Sequence, residues 1–258
     1  MGWYMGIDIG STYSKGVLLR DSEPVASSIR LSGIDHRTTA DAIRKELLAR
    51  VESPPQPIEV VATGTGAGNV PFANSQASDI VCTARGINRL FPQARTAMDI
   101  GAQSTRVIKL DGRGMVTDFV VSEKCAAGSG RFIEVIANVL RIGLEEFGPL
   151  SLQSRNPVAF STGCAVFGES EAITRVAEGV PKEDIAAGVN LALAAKIASL
   201  AKRIGLELPC AICGGGALNQ GLTAAVEKEL GIKLLVPPEP RTVTALGAAI
   251  QAYSGAAA

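Results

Sequence analysis

Two kinds of hydrophobic pattern alternate along the chain. Short apolar runs, typical of buried strands, occur at residues 3–9, 16–19, 58–62, 106–110, 209–213 and 232–236. Longer segments have an apolar residue at every third or fourth position, which predicts helices at residues 41–51, 84–90, 132–140, 189–204, 222–230 and 245–253. Strands that alternate with amphipathic helices predict an α/β fold.

One strand–turn–strand unit occurs twice. A strand ends in Asp8, and Gly10 opens a short polar turn before the next strand. The same order returns around Asp99 and Gly101. A repeat of this kind predicts two similar half-domains. We assign residues 1–95 to an N-terminal half, completed by a C-terminal helix at residues 245–258. Residues 96–244 form the other half.

The residue types at the first turn suit a phosphate group. Glycine lets backbone N–H groups approach an anion closely, and Ser11 and Thr12 add hydroxyl donors. Asp8 stands at the strand end, where it can hold Mg²⁺ through water, and Lys15 follows within reach of phosphate. A single turn of this composition is equally typical of an ordinary hairpin. Its repetition around Asp99 favours phosphate binding.

Two cysteines precede predicted helices. Cys125 lies in the stretch 124–132 (KCAAGSGRF), where a small-residue turn leads into a helical segment. Cys164 ends the stretch 161–164 (STGC), directly before another helical segment. Unpaired N–H groups at a helix start favour a thiolate, so the pair can form half of a metal centre. The alternative is that both are small, buried hydrophobic residues.

A further pair, Cys210 and Cys213, has the C-x2-C spacing of some metal and redox sites. This pair lies in a predicted strand, where residues three apart point to opposite faces. We therefore interpret both as buried structural cysteines.

Composition narrows the classes of partner. The 258 residues include 25 basic and 25 acidic side chains, and no long block of one sign occurs. Neither nucleic acid nor an anionic membrane is therefore indicated as a partner. Five cysteines do not resemble a secreted disulfide framework, and the N-terminus lacks signal-peptide features. These features predict a cytoplasmic protein.

Four motifs together resemble the fold shared by actin, sugar kinases and Hsp70, known as the ASKHA fold. Residues 8–12 resemble its first phosphate loop, 99–105 its second, 214–219 its adenosine motif and 245–249 its connecting helix. The resemblance implies an α/β fold of two RNase H-like half-domains with ATP or ADP and Mg²⁺ bound.

The two cysteine stretches resemble a narrower family. KCAAGSGRF and STGCAVFGESE are similar to the ATPase activators of 2-hydroxyacyl-CoA dehydratases, which are related to benzoyl-CoA reductase ATPase subunits and to reductases of double-cubane proteins. The resemblance implies a homodimer that shares one [4Fe–4S] cluster, with Cys125 and Cys164 as the ligands from each subunit. It also implies ATP-driven delivery of low-potential electrons to a dehydratase, reductase or double-cubane partner, with ferredoxin or flavodoxin as donor.

Carried over by motif, the resemblance assigns the catalytic positions to Asp8, Asp99 and Gln103. The nucleotide-binding positions are Gly10, Ser11, Thr12, Tyr13, Ser14, Lys15, Gln103, Gly214, Gly215, Gly216, Asn219 and Arg241. Three positions depart from the family pattern. Ala102 and Ser104 stand in a loop that usually reads Gly-Gly-Gln-Asp, and Arg241 replaces a common Gln.

Two other functions suit the same fold. A small-molecule kinase would need a substrate pocket with a carboxylate base, and it would not need cysteines at two helix starts. A non-catalytic nucleotide-sensing module is the other alternative. Iron content after anaerobic purification separates both from the electron-transfer function.

Overall fold

The computed structural model describes the backbone of residues 2–52, 58–122, 129–160 and 165–256. The chain divides into two compact units. The first comprises Met1–Ala94, Leu110–Thr117 and Pro237–Ala258, and the second comprises Arg95–Lys109 and Asp118–Val236. Both ends of the chain therefore belong to the first unit.

The first unit is built on a sheet of five strands among the described residues. These are β1 (Trp3–Ile9), β2 (Tyr13–Arg20), β3 (Glu23–Leu31), β4 (Glu59–Thr63) and β5 (Ser75–Gln76). Their order across the sheet is β3-β2-β1-β4-β5. β1 pairs antiparallel with β2 and parallel with β4, so the first hairpin lies in the middle of the sheet.

The second sheet, most of whose residues belong to the other unit, repeats this topology among the described residues. Its strands are β6 (Thr96–Ile100), β7 (Thr105–Leu110), β8 (Val116–Val121), β9 (Cys210–Cys213) and β10 (Leu234–Leu235). Their order is β8-β7-β6-β9-β10. β6 pairs antiparallel with β7 and parallel with β9. The second hairpin thus occupies the same place in its sheet as the first.

Helices cover both faces of the first sheet. α1 (His36–Ala49) buries Ile43 and Leu47 in one cluster with alternate residues of β1. α8 (Val243–Ala256) packs on the opposite face beside Val17 and Leu19 of β2. α2 (Asp79–Leu90) packs in turn against α8. Because both faces are covered, β1 is apolar along most of its length.

Glycines allow α8 to approach its neighbours closely. A Cβ atom at Gly6 of β1 would lie 2.0 Å from the carbonyl oxygen of Ala245. A Cβ atom at Gly247 would lie 1.6 Å from the carbonyl oxygen of Cys82 in α2. Neither distance is possible for a real Cβ, so these contacts require glycine.

We expect Gly247→Ala to destabilise the first unit by about 3 kcal/mol, because the added methyl group has no space and the backbone of α2 must move. Gly255→Ala in the same helix is the matched control, since a Cβ there meets no atom within 4 Å. Denaturant unfolding followed by circular dichroism measures both variants. Equal midpoints for the two would contradict this account of the packing.

The second unit packs its helices around one core. They are α3 (Gly130–Leu140), α4 (Leu144–Ser151), α5 (Ala165–Ala177), α6 (Lys182–Arg203) and α7 (Gln220–Leu230). Ile197 of α6 and Phe132 of α3 lie in the same buried cluster as Met98 and Ile212 of the sheet. α6 is long and apolar enough to cross a membrane by length and composition, but 67% of its apolar window is buried in the fold. It is therefore the core helix of this unit.

Candidate functional site

The first hairpin places an acid and a base side by side. Asp8 of β1 lies directly opposite Lys15 of β2. Lys15 Nζ donates a hydrogen bond to Asp8 Oδ2 at 2.9 Å, and only 6% of Asp8 is exposed. The sequence predicts that Lys15 contacts phosphate. In this structure its ammonium group forms an ion pair with Asp8, the carboxylate that is predicted to hold Mg²⁺.

The second hairpin has the same arrangement. Asp99 lies directly opposite Arg106, and Arg106 Nη1 donates to Asp99 Oδ2 at 2.9 Å. Asp99 is also 6% exposed. Sequence reasoning did not single out Arg106. An alignment of the two hairpin sequences, DIGSTYSK and DIGAQSTR, identifies Arg106 as the counterpart of Lys15, because both sequences end in a basic residue.

A glycine turn lies against each aspartate. Gly64 follows β4 with φ +85°, and its Cβ would lie 2.4 Å from Asp8 Oδ1. Gly214 follows β9 with φ +82°, and its Cβ would lie 2.4 Å from Asp99 Oδ1. Both the left-handed backbone and the close approach require glycine. The sequence analysis assigns Gly214 to the predicted adenosine turn and predicts neither close approach, and Gly64 is the counterpart of Gly214 in the first unit.

The predicted adenosine turn contains one open and one crowded glycine. A Cβ at Gly215 would meet nothing within 4 Å, whereas one at Gly216 would lie 2.4 Å from Ile100 Cγ2. Asn219 caps α7 by accepting a hydrogen bond from Leu222 N–H at 2.9 Å, and its Nδ2 donates to Asn190 Oδ1 at 2.9 Å. The Asn219 side chain therefore holds the turn in place through contacts inside the protein.

The predicted side chains of the phosphate loops differ in exposure. Ser11, Tyr13 and Gln103 are exposed, and Thr12 is half-buried. Ser14 is fully buried, and its hydroxyl lies 2.8 Å from the hydroxyl of Ser32. Ser11, Tyr13 and Gln103 can therefore reach a ligand, whereas Ser14 supports the loop from beneath.

Arg241 lies in a short 3-10 turn, Pro240–Thr242, and pairs with Glu239. Its Nε donates to Glu239 Oε1 at 2.8 Å and its Nη2 donates to Oε2 at 2.6 Å. These hydrogen bonds raise the pKa of Arg241 and lower the pKa of Glu239. The guanidinium group is thereby held in one orientation, in the same unit as the first hairpin.

Cys125 and Cys164 lie outside the described residues, but the helices that follow them are described. Cys164 directly precedes the first residue of α5, and Cys125 lies shortly before the start of α3. The first turns of the two helices touch, because a Cβ at Gly168 of α5 would lie 2.6 Å from Phe132 Cε2 of α3. Two helix starts, each preceded by a cysteine, thus lie side by side in the second unit.

The other three cysteines are fully buried. Burial raises the pKa of Cys82 and of Cys210 to about 11. The Cys210 thiol also donates to the carbonyl oxygen of Glu207 at 3.3 Å. The raised pKa keeps these two thiols neutral at physiological pH. Among the described residues, no group of three or more His, Cys, Asp or Glu side chains is placed to hold a metal ion.

Residues 5–252 match the BadF/BadG/BcrA/BcrD ATPase family. The chain belongs to this family. Its motifs therefore belong to an ATPase, and the predicted resemblance to the dehydratase activators and reductase ATPase subunits is confirmed.

Two relatives of this ATPase align with the chain over nearly their full length. The activator of lactoyl-CoA dehydratase from Anaerotignum propionicum is 40% identical, with 98% of each chain covered. The activator of 2-hydroxyisocaproyl-CoA dehydratase from Clostridium difficile, solved with bound ADPNP, is 39% identical with a TM-score of 0.93, covering 99% of this chain and 96% of that one.

A more distant structure confirms the predicted fold. A glucokinase from Streptomyces griseus superposes with a TM-score of 0.62 at 15% identity, covering 98% of this chain and 100% of that one. At this identity the likeness concerns the fold alone. The chain therefore has the fold of actin, sugar kinases and Hsp70.

Proposed function

We propose that this ATPase is the activator of a 2-hydroxyacyl-CoA dehydratase and uses ATP to deliver low-potential electrons to that enzyme. One structural observation supports the electron-transfer part of this proposal. The first turns of α3 and α5 pack together through Phe132 and Gly168, and a cysteine precedes each helix. A nucleotide site alone does not need this arrangement. The named activators at 39% and 40% identity support the choice of partner.

The two hairpins supply the groups for ATP hydrolysis. Asp8 would hold Mg²⁺ through its water shell, since it stands at a strand end beside a glycine turn, and Asp99 has the same setting in the second hairpin. Gly10, Ser11 and Thr12 offer N–H and hydroxyl donors to phosphate oxygens. Lys15 and Arg106 supply positive charge beside them. Gln103 would orient the attacking water.

The glycine turn after β9 would receive the adenosine. Gly215 leaves open space at the turn, and Gly216 keeps the backbone close to Ile100. Asn219 fixes the turn through its cap on α7. Arg241 and Tyr13 remain predicted nucleotide contacts on the strength of the family motifs.

The cysteine pair suits half of an iron–sulfur site. Cys125 and Cys164 would be the ligands of one [4Fe–4S] cluster shared by two copies of the chain, because such a cluster takes four thiolates. When bound, a cluster of this type carries single electrons at low potential. The dipoles at the N-terminal ends of α3 and α5 would favour thiolates.

The rest of the proposal concerns the surroundings of the protein. We assign it to the cytoplasm, with ferredoxin or flavodoxin as the electron donor. A benzoyl-CoA-type reductase or a double-cubane protein is the other class of acceptor that the motifs suit.

Purification without oxygen tests the proposed function. We expect a brown homodimer that contains about four iron atoms, hydrolyses MgATP and reduces its partner only when ATP is present. A colourless monomer that phosphorylates a small molecule would establish the kinase alternative. A colourless protein that binds ATP without turnover would establish the sensing module.

A further inference from the structure

The first phosphate loop is supported from within its own sheet. Ser32 follows β3 directly and is fully buried. Its hydroxyl donates to the carbonyl oxygen of Gly10 at 2.6 Å, and its N–H donates to the carbonyl oxygen of Thr12 at 2.9 Å. One residue of the neighbouring strand region thus supports both ends of this loop.

The second phosphate loop is supported by a helix instead. Gly130 N–H donates to the carbonyl oxygen of Gly101 at 2.9 Å, and Arg131 N–H donates to the carbonyl oxygen of Ala102 at 2.9 Å. The hydroxyl of Ser129 donates to the same Ala102 oxygen at 2.9 Å. All three donors belong to the start of α3. The carbonyl that corresponds to Gly10 in this repeat is therefore bonded to α3 rather than to the sheet.

These hydrogen bonds replace the ordinary cap of α3. The first N–H groups of a helix have no partner within the helix, and a serine before the helix commonly accepts a hydrogen bond from one of them. Ser129 occupies this position, but its side chain makes no capping hydrogen bond. Its hydroxyl donates to the loop, and the free N–H groups of Gly130 and Arg131 find loop carbonyls. The second phosphate loop is thus the N-terminal cap of α3.

We infer that Ser129 is a positioning residue that couples the second phosphate loop to α3, so that the loop conformation set by the nucleotide also sets the position of the helix start. This inference rests on the proposed function, because it assumes that the loop containing Gln103 contacts the terminal phosphate. If the loop moves, α3 must follow it or lose its cap. Cys125 precedes Ser129 by four residues in the sequence. A movement of the start of α3 would therefore be passed to the segment that contains Cys125.

The coupling must act in both directions. A nucleotide shifts α3 only if it binds one arrangement of the loop better than the other. Any change that holds α3 in one arrangement must then alter the relative affinity for the two nucleotides by the same factor. Loss of the Ser129 hydrogen bond should therefore change the ratio of ADPNP affinity to ADP affinity, and not merely lower both.

The test compares Ser129→Ala and Ser129→Gly with the wild-type dimer, purified without oxygen. Calorimetry gives the affinities for ADPNP and ADP, and hydrogen exchange with mass spectrometry reports the amides of residues 131–136. In the wild type we expect the exchange of these amides to differ between the two nucleotides. Both variants should reduce that difference and shift the affinity ratio by about fivefold, the effect of one hydrogen bond. Ser129→Thr keeps the hydroxyl and should restore both.

Ser32→Ala is the matched control, because it removes the corresponding hydroxyl from the first loop. It should weaken both nucleotides together and keep the exchange difference in α3. A wild-type protein that binds no nucleotide would overturn the proposed function. A wild type that binds both nucleotides without a difference in α3 would overturn the coupling alone. So would Ser129 variants that retain the full exchange difference and the wild-type affinity ratio.

Discussion

Cys125→Ser and Cys164→Ser should each yield a protein that retains ATP binding and contains almost no iron. A serine hydroxyl is not a thiolate, and a site that loses one ligand from each of two subunits keeps only two of the four thiolates that a [4Fe–4S] cluster requires. The measurement is iron content and visible absorbance after anaerobic purification, with nucleotide affinity measured on the same samples.

Cys210→Ser is the matched control for the iron measurement. Cys210 is also a cysteine of the second unit, but it is fully buried, and burial raises its pKa to about 11. This variant should keep its iron, although its stability will fall somewhat because a polar hydroxyl replaces a buried thiol. Wild-type iron content in both Cys125→Ser and Cys164→Ser would rule out the assigned ligands.

Asp8→Asn should reduce MgATP hydrolysis by at least about 100-fold, because a metal ion contributes several kcal/mol of charge stabilisation during phosphoryl transfer. Asparagine has nearly the same shape as aspartate, so the hairpin should remain folded. It cannot neutralise Lys15, whose ammonium group lies 2.9 Å from the Asp8 carboxylate. Steady-state hydrolysis as a function of Mg²⁺ concentration measures the effect.

Asp21→Asn is the control variant. Asp21 directly follows β2, at the end of the β1–β2 hairpin opposite to the phosphate loop. Its carboxylate accepts a hydrogen bond from Gly2 N–H at 2.9 Å. Its φ of 54° is a conformation that asparagine also tolerates. Hydrolysis should stay at the wild-type rate in this variant. Equal rates for Asp8→Asn and wild type would show that Asp8 does not serve the metal.

The fold class could be predicted from the sequence because its main elements have strong periodic patterns. β1 and the long helix α6 carry their apolar residues at the spacing of buried elements. Three edge strands were not predicted, and one of them, β5, has only two residues. β3 contains Ser27, Ser28 and Arg30 and is mostly exposed, and β8 exposes Phe119. Edge strands have one partner and little buried surface, so neither alternation nor hydrophobicity marks them.

Helix boundaries were less predictable than helix positions. α2 begins at Asp79, before the predicted residue 84, and α6 begins at Lys182, before the predicted residue 189. The first turn of α6 consists of the charged residues Lys182, Glu183 and Asp184, so the apolar pattern is weak there. The first turn of α2 contains Ile80 and Val81 and is half-buried, so its early start has no such explanation. α4 was not predicted, since it contains Pro149 and is short.

The site could be predicted only where its signal is local. The paired Asp-x-Gly turns and the triple-glycine turn are contiguous in the sequence, and the structure places them at strand ends. The link between Ser129 and Ala102 joins residues far apart in the chain. The close approach of Gly64 to Asp8 is equally long-range. Contacts of this kind depend on how the strands are ordered, which single residues do not reveal.

The shared topology of the two sheets also bears on how this protein could have acquired its cysteines. In the described part of the first unit, one helix, α1, connects β3 to β4. In the described part of the second unit, the corresponding connection from β8 to β9 contains α3, α4, α5 and α6, and both Cys125 and Cys164 fall within it. A connection between two strands of one sheet tolerates growth, because its ends are fixed by the sheet and its middle is not. Gene duplication followed by expansion of one such connection would account for the additional helices and the two cysteines of the second unit, while both copies kept the same hairpin.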